Sequence, residues 1–317
     1  MSPMRRDRVP YVAFVLGGGG VHGAAEVGML QALHEAGITP DIVIGTSVGA
    51  LNGAVLADEP STAVERLTDL WINVDESSPF DASLLERAST FARTRTHLHS
   101  NHRLRRLLLT HLDARRFEDL AVPFQCVAAS IEHAGARWFD DGPLIPPLLA
   151  TTAVPGLLPP VEIEGEHYLD GGLVDSIPVS RAVDLGAREI YVLQVGRVEQ
   201  PLVPPKRPWE VGLVAFEIAR RHRFVEAMKQ IPDDVEVQVL PAGVEIQHTD
   251  TSQYRYRDTS NIPERIAAAY DATRTALQEG EGRAGVEIAE VDPWSDDAEA
   301  GVRSGESSGA DGRGRSR

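Results

Sequence analysis

Residues 11–16 form an unbroken apolar run that stops at Gly17, the pattern of a strand buried on both faces. Across residues 24–36, Val27, Leu30 and Leu33 recur at helical spacing until Gly37 ends the element. A second apolar strand follows at 42–44, then a helix of small residues over 50–57. The opening therefore alternates strand and helix, which implies parallel strands joined by right-handed crossovers. Residues 61–116 read as mostly helical and 124–130 as another strand. Residues 137–139 pair with that strand across a turn near Gly135. The stretch 151–165, rich in Pro and Gly, is expected to be an ordered loop. Beyond it come a helix over 179–185, a strand over 189–195, a helix over 209–230, a strand over 235–240 and a helix over 263–277. The predicted architecture is one doubly wound α/β domain over 8–280, a mostly parallel sheet flanked by helices in three layers.

From about Gly280 the pattern changes. Residues 281–317 are dominated by Gly, Ser, Asp, Glu and Arg, and apolar periodicity disappears. Such a tail cannot bury enough surface to offset its ordering entropy and is expected to be disordered.

The chain has 317 residues, 42% of them hydrophobic, which is ample for a sizeable core. Its net charge of -16 argues against a nucleic-acid partner, which would call for a basic face. The single cysteine, Cys126, lies inside a predicted strand and reads as inert core, so neither a disulfide framework nor a Cys-rich zinc site is expected. No apolar run approaches the roughly 20 residues that span a bilayer, and residues 11–16 are too short for a secretory signal. The expectation is a cytoplasmic protein whose contact with membrane, if any, is peripheral.

Two glycine motifs carry the chemistry. Gly17, Gly18, Gly19, Gly20 and Gly23 sit between the first strand and the first helix. The spacing Gly18-x-Gly20-x-x-Gly23 also fits a dinucleotide fingerprint, but that match is weak alone. A dinucleotide site needs an acidic residue at the end of the second strand, whereas Asp41 precedes that strand. Backbone N–H groups converging at a helix start can instead stabilise a developing oxyanion. The second motif is Gly45-Thr46-Ser47-Val48-Gly49, placed between the second strand and a helix of small residues. That context turns a common five-residue pattern into a nucleophile elbow, with Ser47 at its tip. A role for Ser47 as helix N-cap is compatible with it.

The activating base is less obvious. None of His97, His99, His102, His111, His133, His167, His222 and His248 sits in a convincing constellation for a Ser–acid–His triad. Asp170, at a strand end and followed by Gly171 and Gly172, can approach another loop closely, and burial would raise its basicity. The same residues also make a plain hairpin turn, and Asp140-Asp141-Gly142 is a second motif of this type.

Together these elements resemble the patatin-like phospholipase family, in its bacterial stand-alone form. The resemblance is strong over residues 11–195 and weaker to about 278. It rests on the glycine loop, the elbow, the stretch 153–161 and Asp170-Gly171-Gly172-Leu173-Val174-Asp175-Ser176-Ile177-Pro178. It implies a serine acyl hydrolase with Ser47 as nucleophile and Asp170 as general base. Gly18, Gly19, Gly20 and Gly23 would form the oxyanion loop, with Gly45, Gly49, Gly171 and Gly172 shaping the turns. It implies a lipid or other acyl-ester substrate and no metal or organic cofactor. One departure is His22, which stands where the family usually has Arg or Lys and supplies less positive charge to the loop. An acyltransferase on the same dyad and a non-enzymatic regulatory member are the alternatives.

Residues 91–116 hold seven arginines against the single acid Asp113, with Leu104, Leu107, Leu108 and Leu112 on one helical face. A basic amphipathic helix can lie on anionic lipid, or it can be a solvated face packed on the domain.

Overall fold

A computed structural model describes residues 11–73, 99–195, 202, 204–205, 208–243 and 261–279. These fall within one unit, residues 1–285. The composition-biased tail, residues 91–98 and the histidines at 97 and 248 lie outside the described residues.

The described strands are β1 (Val12–Leu16), β2 (Ile42–Gly45), β3 (Phe124–Ser130), β4 (Gly135–Phe139), β5 (Val161–Ile163), β6 (Glu166–Asp170), β7 (Glu189–Leu193) and β8 (Glu236–Leu240). The helices are α1 (Ala24–Glu35), α2 (Val48–Asp58), α3 (Ala63–Ile72), α4 (His102–His111), α5 (Ile145–Thr151), α6 (Val179–Asp184), α7 (Pro208–Met228) and α8 (Ile262–Glu279). The sheet runs β5-β6-β3-β2-β1-β7-β8, with β4 paired to β3 off this path. Strands β3, β2, β1, β7 and β8 are parallel, while β4, β5 and β6 are antiparallel.

This order explains the layers. The chain moves outward from β1 to β2 and β3, then returns to place β7 on the other side of β1. Alternate residues of β1 therefore face different helices. Phe14 and Leu16 join a core with α1, α2 and α3, whereas Ala13 and Val15 join a second core with Val179, Ala182 and Phe224 of α6 and α7. The three-layer α/β/α prediction matches this arrangement. The carboxyl end of β1, where the strand order reverses, is where open α/β sheets bind ligands.

Three local outcomes differ from the sequence expectation. The stretch read as loop contains β5, which forms a hairpin with β6 through Glu164 and Gly165, both at positive φ. The helix α5 was not anticipated; its prolines lie in the first turn, where a missing N–H leaves no helical acceptor unpaired. Residues 112–116 leave the helix, because Asp58 accepts the N–H groups of Asp113 and Ala114 and stops it.

Helix α4 settles where the leucine face goes. Leu104, Leu108 and Leu112 are buried in the domain's own core, leaving Arg103, Arg105 and Arg106 exposed. These leucines are thus not available to lipid, and the surface of α4 presents the three arginines together with Leu109, which is 40% exposed. Cys126 is fully buried and burial pushes its thiol up, consistent with inert core.

Candidate active site

The site forms where β1, β2 and β6 end. Ser47 follows β2 and precedes α2, with φ 54° and ψ −125°. A β-carbon residue is rarely found there, and holding it costs about 1–3 kcal/mol that the surrounding fold must supply. The turn is forced by close packing. A Cβ on Gly49 would sit 2.4 Å from the carbonyl oxygen of Leu16, so only glycine lets α2 start against β1. Thr46 Oγ1 donates to the carbonyl of Asp175 at 2.8 Å, and Ser47 N–H donates to Thr151 Oγ1 at 2.9 Å.

Asp170 ends β6, whose antiparallel pairing with β3 sets Asp170 opposite Ala128. Its Oδ2 accepts from Ser47 Oγ at 2.7 Å, and its Oδ1 accepts from Gly172 N–H at 2.8 Å. Only 3% of Asp170 is exposed. Burial pushes its carboxyl up to about 6, against the lowering effect of the Gly172 and Ser47 hydrogen bonds. Phe216 of α7 covers this turn, since a Cβ on Gly172 would lie 2.9 Å from its ring. In the competing motif Asp140-Asp141-Gly142, Asp140 is engaged by Gln125 and Asp141 is exposed. His133 and His167 pair with Glu166 and Glu132. Among the described residues, no histidine hydrogen-bonds to Ser47 or Asp170.

The glycine loop packs directly on the elbow. A Cβ on Gly18 would be 3.4 Å from Ser47 Cβ and 3.2 Å from Ser176 Oγ. The Gly18 N–H, expected among the oxyanion donors, already donates to the Ser176 carbonyl at 2.9 Å. The N–H groups of Gly19 and Gly20 have no such backbone partner among the described residues, so they are the loop donors left for an oxyanion. Gly20 opens a short 3-10 turn, Gly20–Gly23, that leads into α1. Beneath it, Asn52 Nδ2 donates to Gly23 O at 3.0 Å and to Glu26 Oε2 at 2.7 Å, and Trp71 Nε1 donates to Asn52 Oδ1 at 3.1 Å. Burial pushes the Glu26 carboxyl well above the usual range. This buried network ties the loop to α2 and α3.

His22 lies in the 3-10 turn and is buried. Arg265 of α8 reaches it, with Nη1 2.7 Å from Nδ1. The structure thus brings together Ser47, Asp170, Gly18, Gly19, Gly20, Gly45, Gly49, Gly171 and Gly172. It adds Thr151, Ser176, Phe216 and Arg265, which sequence reading did not single out as parts of the site.

The patatin-like phospholipase family profile matches residues 14–183. The chain belongs to that family. It is 35% identical over 192 residues to the patatin-like phospholipase domain-containing protein ZK370.4 of Caenorhabditis elegans, covering 60% of this chain and 14% of that protein. It is 30% identical over 188 residues to the lysophospholipase nte1 of Aspergillus terreus, covering 59% of this chain and 12% of that protein. The chain therefore matches only a small part of the length of these relatives. Among solved structures, VipD of Legionella pneumophila is similar over 86% of this chain and 67% of that one, with a TM-score of 0.42 and 15% identity.

Proposed function

We propose that the chain is a serine acyl hydrolase that cleaves carboxylic esters of lipids through a Ser47–Asp170 dyad. The observation that carries this reading is the 2.7 Å hydrogen bond from Ser47 Oγ to a buried carboxylate, made at a strained strand-to-helix turn. Asp170 Oδ2 takes the Ser47 proton as Oγ bonds to the ester carbonyl carbon. The carbonyl oxygen becomes an oxyanion facing the N–H groups of Gly19 and Gly20. Asp170 returns the proton to the departing alcohol, leaving Ser47 acylated. Water then attacks the acyl group, Asp170 accepts its proton, and Ser47 Oγ leaves and regains a proton as the fatty acid is released.

Burial beside Ser47 makes Asp170 a stronger base than an exposed carboxylate while leaving it largely ionised at neutral pH. The names of the relatives point to lysophospholipids as the first lipids to test. Membrane contact, in this reading, is electrostatic and runs through Arg103, Arg105 and Arg106. The test is fluorophosphonate labelling together with fatty-acid release from lysophosphatidylcholine. Wild type should label and turn over, Ser47→Ala should do neither, and Asp170→Asn should label far more slowly. Equal labelling of wild type and Ser47→Ala would refute the nucleophile assignment.

A further inference from the structure

Position 22 lies in the glycine turn and carries a neutral-capable imidazole in place of a permanent cation. A guanidinium reaches it from far along the chain. Arg265 stands on α8, outside the residues that the family profile matches. Its Nη1 is 2.7 Å from His22 Nδ1, and the contact is part-buried. A guanidinium has donors only. Nδ1 must therefore accept, which places the imidazole proton on Nε2.

The placement of Arg265 is over-determined by packing. Helix α8 crosses α1 backbone to backbone, and a Cβ on Gly28 would fall 2.0 Å from the carbonyl oxygen of Ile266. Ile262 and Ile266 sit in the same core as α1. Tyr270 Oη donates to Glu35 Oε2 at 2.7 Å, and Thr273 Oγ1 to Pro241 O at 3.3 Å. These contacts fix both the register and the azimuth of α8. Arg265 is one residue before the closest crossing point, and it faces the start of α1. Among the described residues no carboxylate forms an ion pair with it.

We propose that Arg265 is a positioning residue of the oxyanion loop: it holds His22 as the Nε2–H tautomer and sets a fixed positive charge against the glycine turn. The inference rests on the dyad reading above and assigns α8 a part in it. A charge fixed beside the loop favours negative charge as it develops on the substrate oxygen, and it needs no reorganisation during the reaction. The effect is transmitted through His22, so it is weaker than deleting a direct oxyanion donor, which costs about 100- to 1,000-fold.

The full-length chain is assayed with a short-chain p-nitrophenyl ester, alongside melting temperature and imidazole 15N chemical shifts. Arg265→Gln should lower kcat roughly tenfold with KM little changed, the signature of an interaction made in the transition state. Arg265→Lys should retain most of kcat. The decisive variant is the double substitution Arg265→Gln with His22→Arg, which moves the cation into the turn itself and should restore kcat to within about threefold of wild type. A purely structural Arg265 predicts no such restoration. The inference is overturned if Arg265→Gln keeps kcat within about twofold, or if a folded double variant shows no recovery. It is also overturned if the 15N shifts put the proton of wild-type His22 on Nδ1. The tautomer is read without turnover, so it separates failure of this inference from failure of the dyad, which labelling of Ser47→Ala detects by itself.

Discussion

Ser47 Oγ and Asp170 Oδ2 are 2.7 Å apart although 123 positions separate them in the chain. One arrives on a parallel strand, β2, and the other on an antiparallel strand, β6, and β3 lies between the two. A backbone N–H, not the side chain of a third residue, orients the carboxylate. Gly172 N–H fixes one carboxylate oxygen and Ser47 uses the other.

Activity should follow the ionisation of Asp170. In the proposed mechanism the base is the carboxylate, and burial pushes its carboxyl up to about 6. The value of kcat/KM should therefore rise through about pH 6 and be lost as pH falls below it. Asp175 is also raised to about 6 by burial, partly offset by Arg223, so Asp175→Asn is the control and should leave the limb in place. A rate constant that stays flat from pH 4.5 to 8 would remove Asp170 as the base.

Removing the charge on Asp170 should stabilise the fold while abolishing turnover. The folded carboxyl titrates near 6 and the unfolded one near 4. The folded state thus binds more protons in that window, and wild-type stability falls as pH rises from about 4 to about 6. Asp170→Asn has no such loss. It should be more stable than wild type at pH 7 by on the order of 1 to 3 kcal/mol, with the difference shrinking by pH 4.5. Urea denaturation at both pH values checks this, and a variant less stable than wild type at pH 7 contradicts it.

Thr151 should matter for rate and for stability alike. Its hydroxyl accepts the Ser47 N–H, and Thr151 is fully buried. Thr151→Val keeps the shape but leaves that N–H unpaired, at a cost of about 1–3 kcal/mol. The expected result is a lower melting temperature and slower fluorophosphonate labelling, both recovered in Thr151→Ser. Labelling at the wild-type rate in Thr151→Val would show that the contact does not position Ser47.

Local chemistry made the core of this site legible. A strand, two glycines and a serine specify an elbow within five residues, and the glycine loop before α1 does the same within seven. The carboxylate was harder, because Asp170-Gly171-Gly172 and Asp140-Asp141-Gly142 carry similar local signals. Only the antiparallel insertion of β6 beside β3 brings Asp170 to Ser47, and strand order is not written in local spacing. Thr151 closes a helix that the hydrophobic pattern does not predict, at the edge of the stretch 151–165 that reads as loop. Arg265 lies 243 positions from its partner, on a helix whose periodicity predicts the helix but not the neighbour. The basic amphipathic stretch left two readings open for a related reason: a leucine stripe on α4 looks the same whether it faces lipid or core.

The arginines of α4 remain testable on their own. Arg103, Arg105 and Arg106 changed together to Glu should abolish flotation with anionic vesicles and leave ester hydrolysis in solution unchanged. Leu104→Ala should instead destabilise the fold by about 2–5 kcal/mol, since Leu104 is a core residue. Undiminished flotation of the triple variant would exclude these arginines as the membrane contact.

The strained backbone of Ser47 makes its reactivity a gauge of nativeness. Local hydrogen bonds such as Gly49 N–H to Thr46 O at 2.9 Å close the elbow, but a φ of 54° at Ser47 also depends on β1, α5 and the Asp170 turn, which hold it from distant parts of the chain. If any one of them loosens, the serine relaxes to an ordinary backbone geometry and becomes chemically unexceptional. Probe uptake at Ser47 during gradual denaturation should accordingly decline before the helical signal does, reporting the first local loosening of the carboxyl end of the sheet.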